Sequence, residues 1–196
     1  MLLKTELISA TTRETIGLRE IKDHLRIPVG FTFDDEYLDR LHDVAVGWVE
    51  DYTNRKLAQQ RWKVYLDKWP ADDSLYLPLA PLSSAPSTAI VYKDSDGDST
   101  TFSSSAWSFD KISNPGRIAL GYDESWPTAT LWNVNPISVE FLCGQASTAI
   151  SEKIKQAVLL VVGDLYENRE NTVLGVQPHK LKIAERLLYS ERVFKF

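Results

Sequence analysis

Cysteine is almost missing from this chain of 196 residues; Cys143 stands alone. One thiol cannot close an internal disulfide, and it cannot supply a cysteine-based zinc site. Long apolar runs are missing as well. No stretch reaches the roughly 18 residues that a membrane-spanning helix needs. Residues 1–10 carry Lys4 and Glu6 inside a short apolar stretch. They make a poor signal peptide, so a chain made and kept in the cytoplasm is expected. A basic excess is also lacking: 22 Lys and Arg stand against 27 Asp and Glu, a net charge of −5. That argues against a protein whose main task is gripping nucleic acid, because such binding draws on clustered cations. The common catalytic spacings are absent too. There is no Gly-x-Ser-x-Gly elbow, no P-loop and no Gly-x-Gly-x-x-Gly. His24, His42 and His179 fall in different elements without metal-ligand spacing, so surface or helix-end positions are expected for them. Asp34/Asp35 and Asp72/Asp73 are adjacent in sequence and point apart. No enzymatic motif, metal site or cofactor site is left.

What is present is an ordinary globular composition, 43% apolar and 25% charged, at a length suited to one domain or one domain with an insertion. Three zones differ. Residues 1–56 read as helical, with Thr15 as a cap for a helix over 18–25 and Leu18, Ile21 and Leu25 on one face. Pro28, Gly30 and Phe31-Thr-Phe33 break it. A longer helix then starts at Asp34 or Asp35, its acidic first turn suiting the positive helix N-terminus. Leu38, Leu41, Ala45, Trp48, Val49 and Tyr52 recur at three- and four-residue steps, and Thr53-Asn54 marks the end. Residues 57–148 hold seven of the nine prolines and five of the six tryptophans. Short alternating runs over 61–67, 75–77, 89–92, 100–102, 107–109, 117–120 and 137–142 predict an antiparallel β-sandwich or barrel-like domain. Residues 149–196 return to helix. Ser151 caps a helix to about Asn168 whose buried face includes Ile154, Ala157, Val158, Val161, Leu165 and Tyr166. Gly163 suggests close helix packing. A last helix over 179–190 buries Leu181, Ala184, Leu187 and Leu188. The expected fold is α+β: a small helical unit from the two ends, with an inserted antiparallel β domain.

Several side-chain groups invite a functional reading. Asp94, Asp96 and Asp98 suggest a calcium loop, but the glycine is fourth rather than sixth and the twelfth position is Ser105, so a hairpin turn is expected. Cys143 ends an apolar strand and reads as buried and inert. Trp69, Trp107, Trp126 and Trp132 raise the alternative of a carbohydrate-binding β module with helical arms, although tryptophan in a small β zone more often fills a core or an interface. Lys180, Lys182, Arg186, Arg192 and Lys195 make a basic C-terminal end suited to a solvated or protein-docking face. A DNA-binding regulator would need a basic recognition helix, and none is seen.

The ordered set of segments resembles the head–tail connector (adaptor) proteins of long-tailed bacteriophages and gene transfer agents, in their longer branch. The residues that carry the resemblance begin with Leu18-Arg-Glu-Ile-Lys-Asp-His-Leu-Arg26 and Asp34-Asp-Glu-Tyr-Leu38. Trp48-Val-Glu-Asp-Tyr-Thr-Asn-Arg-Lys-Leu57 follows, then Gln60-Arg-Trp62 to Trp69-Pro70 and Leu77-Pro-Leu-Ala-Pro-Leu82. Pro115-Gly-Arg-Ile118, Trp126-Pro127, Ile154-Lys-Gln-Ala-Val-Leu-Leu160 and Tyr166-Glu-Asn-Arg-Glu170 complete the order. The match spans about residues 16–192. It departs at Phe141-Leu-Cys-Gly-Gln-Ala146, where the family usually has a Gly-Tyr-Gly ending and a proline.

The resemblance implies a structural, non-enzymatic role at the head–tail joint of a virion or virion-like particle. It implies a ring of about twelve copies beneath the portal protein, a platform for the next tail or neck component (stopper or tail terminator), and DNA passing through without specific binding. No cofactor and no membrane are implied. A family C-terminal segment that reaches the portal maps here onto Arg192, Val193, Phe194, Lys195 and Phe196. The acidic helix, with Asp34, Asp35, Glu36, Asp39 and Asp43, Glu50 and Asp51, is then expected to face the DNA channel, where a negative lumen repels phosphates.

Overall fold

The computed structural model describes residues 4–10, 15–86, 89–169 and 182–193. The chain divides into two compact units. One holds the described residues of 1–11 and 58–145, the other those of 12–57 and 146–193. The fold is α+β, with antiparallel sheets and, among the described residues, no closed barrel.

The β unit contains β1 (Lys4–Ala10), β2 (Gln60–Leu66), β3 (Ser74–Tyr76), β4 (Leu82–Ser84), β5 (Ile90–Lys93), β6 (Ser99–Thr101), β7 (Trp107–Asp110), β8 (Arg117–Leu120) and β9 (Ile137–Cys143). One sheet runs β1-β2-β9-β5-β6, with β4 also on β9, and the other runs β3-β8-β7. Strict alternation makes β9 the spine. Ile137, Val139, Phe141 and Cys143 are all fully buried, while the residues between them are half-exposed. Val139 lies opposite both Val64 of β2 and Ile90 of β5. Leu75 and Ile118 of the smaller sheet join the same core, which gives a two-layer arrangement. After β9, Gly144 takes φ +85°, and a Cβ there would lie 1.9 Å from the Ala58 carbonyl oxygen. Only glycine fits that crossing. Asp94 to Asp98 form the β5–β6 turn, with the Asp94 carboxylate accepting from the Asp96 and Asp98 N–H groups.

Residues 4–10 correct the expectation that 1–56 is all helical. They form β1, paired with β2 in the β unit. All seven residues of β1 are exposed, so no buried face was there to produce a readable period. β4 also escaped the sequence reading, because three residues among prolines carry no alternation.

The helical unit contains α1 (Leu18–Leu25), α2 (Asp35–Thr53), α3 (Glu152–Glu167) and α4 (Lys182–Leu188). Its core joins Ile21, Leu38, Ala45, Val49, Ile154 and Val158. The apolar stripe of α2 is buried as expected, with Trp48 and Tyr52 only partly covered and stacked at 5.5 Å. The Ser151 hydroxyl does cap α3 by accepting from the Ile154 N–H. Thr15 does not cap α1. The N-cap is Gly17, and the Thr15 hydroxyl instead pairs with His42 Nε2 at 2.8 Å. His42 is therefore a buried, hydrogen-bonded residue rather than a surface one. Gly163 faces His24 and Leu25 of α1, but a Cβ there would make only ordinary contacts, the nearest at 3.6 Å, so packing does not demand glycine. His179 and Leu181 lie outside the described residues.

Candidate interaction surfaces

The five acids proposed along α2 separate by partner. Asp34 accepts a hydrogen bond from the Tyr166 hydroxyl (2.6 Å) and lies 3.6 Å from the Arg169 guanidinium. That guanidinium sits over the rings of Tyr37 and Tyr166, at 4.8 and 5.0 Å. The hydrogen bond to Asp34 raises the Tyr166 phenol above its ordinary pKa. This cluster ties the start of α2 to the end of α3. Asp35 forms an ion pair with Lys22. Glu36, Asp39 and Asp43 are exposed, with Arg40 among them, at spacings that share one helix face. Asp51 is exposed further along. Glu50, also in the expected acidic face, is buried instead. Its two oxygens accept from Lys56 Nζ (2.8 Å) and the Leu57 N–H (2.9 Å), which closes the turn after α2.

At the other end of the chain, Arg192 and Val193 are fixed to the C-terminal end of α2. The Val193 N–H donates to the Thr53 carbonyl, the Asn54 amide donates to the Val193 carbonyl, and Arg192 lies 4.9 Å over the Tyr52 ring. The expected docking tail thus has a firmly seated root. Phe194, Lys195 and Phe196 lie outside the described residues.

The loop between α1 and α2 was read only as a helix breaker, and the structure gives it a different character. Val29 is exposed, Phe31 is 45% exposed and Phe33 88%. The backbone that carries them is held from inside. Lys22 is buried, and its ammonium donates to the carbonyl of Phe31 (2.9 Å) and more weakly to that of Val29 (3.4 Å), besides its ion pair with Asp35. The Phe31 N–H returns to the Pro28 carbonyl, and the Asp35 N–H to that of Thr32. A buried ammonium costs desolvation unless it is fully paired. Here its partners are the loop itself. The readable signal was a run of large apolar residues with no charge inside a turn.

The tryptophans do not form an open sugar platform. Trp69 and Trp126 stack on one another at 5.1 Å, with Phe102 against both and Tyr92 at the edge of Trp69. The Trp126 indole N–H donates to the Asp72 carbonyl. Trp107 packs against the β core, and Lys93 lies over the Trp132 ring at 5.6 Å.

No family model matches the chain, and no curated protein does. Solved structures do match along its whole length. The chain shares its fold with chains from gene transfer agent particles, two of them from particle necks. One belongs to the neck of an empty gene transfer agent particle computed with C6 symmetry. It is 24% identical with a TM-score of 0.75, and the alignment covers 100% of this chain and 97% of that one. A chain of the virion of a native gene transfer agent particle gives 24% identity, a TM-score of 0.76 and the same coverage. A third, from the neck of a native particle computed with C12 symmetry, gives 22% identity and 0.71. At these identities the likeness establishes the fold.

Proposed function

We infer that this chain is a structural head–tail connector of a phage-like particle. Copies of it form a ring at the neck, beneath the portal, that joins the capsid to the next tail component and extends the DNA channel. The observation that carries the reading is the full-length likeness to chains from gene transfer agent necks and from a gene transfer agent virion. The C12 symmetry of one of those necks favours a twelve-fold ring. Its place is the virion neck, after synthesis in the cytoplasm. The role is architectural, a reading that the likeness to particle neck chains supports. Among the described residues no cluster of three or more His, Cys, Asp or Glu side chains is arranged to hold a metal ion.

Within that role, the tail that follows the seated root Arg192-Val193 reaches the portal through Phe194, Lys195 and Phe196. Asp39 and Asp43 face the channel, where their charge keeps phosphates from sticking. Glu36 shares their exposed helix face, whereas Asp34 ties the start of α2 to the end of α3 and Asp35 holds the loop before α2 through Lys22.

The test is the mass of the purified protein by light scattering over a range of concentrations, with negative-stain images and a pull-down on a portal protein. A ring of about a dozen copies, or portal capture that is lost when the last three residues are removed, supports the reading. A strict monomer that captures no portal refutes it. For the channel, Asp39→Lys with Asp43→Lys is expected to slow DNA delivery, and unchanged delivery counts against that assignment.

A further inference from the structure

The β unit carries two features of opposite character on its two layers. One is a pocket of about 230 Å³ on the face of the larger sheet that points away from the core. Its floor is the cross-strand row Tyr65, Ser138 and Val91, which lie opposite one another on β2, β9 and β5 and alternate with the buried residues of those strands. Residues 132–136 form its wall. The Trp132 N–H donates to the Lys93 carbonyl and the Lys93 N–H to that of Pro136, which roots the wall on β5. The Asn135 N–H donates to the Asp67 carboxylate, and its side-chain oxygen accepts from Lys4. Trp132 and Val134 stay 42% and 62% exposed. Among the described residues, Lys93 is the only charged one that lines the pocket, and its ammonium lies over the Trp132 ring. The pocket is therefore aromatic, firmly walled and cationic.

The other feature is the loop that follows β8 on the side of the smaller sheet. Tyr122 is wholly exposed there, and Asp123 and Glu124 beside it are exposed as well. The loop is held in shape: the Gly121 N–H donates to the Ala106 carbonyl and the Glu124 N–H to that of Gly121. Asp72 and Asp73 stand next to it, since the Trp126 indole N–H reaches the Asp72 carbonyl and the Leu120 N–H that of Asp73. Residues 70–76 and 121–127 contain no lysine or arginine. The loop does not fill the pocket of its own copy. Leu75 and Ile118 pack the smaller sheet against the inner face of the larger one, so loop and pocket belong to opposite layers. A cyclic ring is built from heterologous contacts, in which each copy offers two different and complementary patches. A tyrosine flanked by carboxylates and an aromatic pocket that holds a lysine match in both shape and charge. Tyrosine is a frequent interface anchor, and opposite charges fix register. A cavity of roughly 150 Å³ already accepts a benzene ring, so the pocket has room for one phenol. We propose that Tyr122 of one copy seats in the Trp132 pocket of the next copy, with Glu124 facing Lys93, as a head-to-tail junction of the ring. The proposal rests on the ring reading for its geometry. The preformed loop and wall lower the ordering cost of docking.

Disulfide trapping tests the contact directly, with light scattering of the wild-type chain run in parallel. Ser125→Cys next to the loop tip and Ser99→Cys at the pocket are near-isosteric changes at exposed positions, so both variants keep the fold; Ser108→Cys, exposed on β7, is the control. Mixed under mild oxidation, Ser125→Cys and Ser99→Cys are expected to give the heterodimer at least about tenfold faster than Ser125→Cys and Ser108→Cys, because docking raises the local thiol concentration. Adding Lys93→Glu to the Ser99→Cys chain is expected to bring the rate down toward the control, and adding Glu124→Lys to its Ser125→Cys partner to restore it. Equal rates for the two pairs overturn the junction, and so does trapping that Lys93→Glu leaves unchanged. A wild-type ring without preferential trapping overturns the junction while leaving the ring reading in place. Preferential, charge-dependent trapping of a chain that never forms rings supports the contact and counts against the ring.

Discussion

Replacing Lys22 with methionine keeps the length of the side chain and removes its charge. In the native chain the ammonium has three partners: the Phe31 carbonyl, the Val29 carbonyl and the Asp35 carboxylate. A hydrogen bond to a charged group contributes about 1.5–3 kcal/mol, and breaking a wholly buried ion pair costs about 3–5 kcal/mol. Lys22 is almost inaccessible at 4%, but Asp35 keeps 28% of its side chain exposed, so water reaches the orphaned carboxylate. The expected loss is therefore about 2–3 kcal/mol, below the fully buried figure. Urea unfolding followed by far-ultraviolet circular dichroism reads it, since α1 to α4 all lie in the helical unit. Amide exchange adds the local signature, with protection at Phe31 and Asp35 falling more than in the middle of α3. Adding Asp35→Asn to Lys22→Met is expected to recover part of the loss, because the unpaired charge is then gone. A destabilisation of Lys22→Met below about 0.5 kcal/mol, the level of a neutral surface change, would refute the claim that this lysine holds the loop.

Glu50→Ala leaves the buried Leu57 N–H without its acceptor and takes one partner from the Lys56 ammonium, and is expected to cost about 1–3 kcal/mol in the same unfolding assay. Gly144→Ala has no room for its Cβ beside the Ala58 carbonyl and a positive φ besides; a loss of about 3 kcal/mol or more is expected in thermal unfolding of the β unit, read by tryptophan fluorescence. Asp110 accepts from the Ser113 hydroxyl and N–H, the Ile112 N–H and Arg117, which hold its pKa at about 2 against an ordinary 3.8. Its folded pKa is the lower one, so its support of the β7–β8 turn is present above the ordinary value and is lost as pH falls through about 2. Carboxyl NMR titration checks this. Tyr65 donates to Glu6, and that bond, helped by burial and the nearby charge, pushes its phenol up to about 12. The contribution is full below the ordinary value of 10 and fades as pH rises through about 12; in an ultraviolet titration Glu6→Gln is expected to bring the midpoint down.

Periodicity and punctuation in the sequence determined the element types wherever one face is buried and the other is not. The stripe from Leu38 to Tyr52, the Ser151 cap and the alternation of Ile137, Val139, Phe141 and Cys143 all specify their elements locally, because the chain must hide those side chains in a repeating direction. The order of segments was enough to suggest the architecture and the family it resembles. Tertiary structure alone decided the rest. Residues 4–10 became a strand only because β2 offered an edge, since no buried face of their own marks them. The α2 acids divided into anchors and exposed charges only because Lys22 of α1, Tyr166 of α3 and Arg169 just beyond α3 reach them, at distances that sequence spacing does not encode. Glu50 and His42 were likewise drawn inside by partners at Lys56, Leu57 and Thr15. The exposed phenylalanines of the α1–α2 loop have the same origin. Their placement depends on a buried ammonium nine and eleven positions earlier.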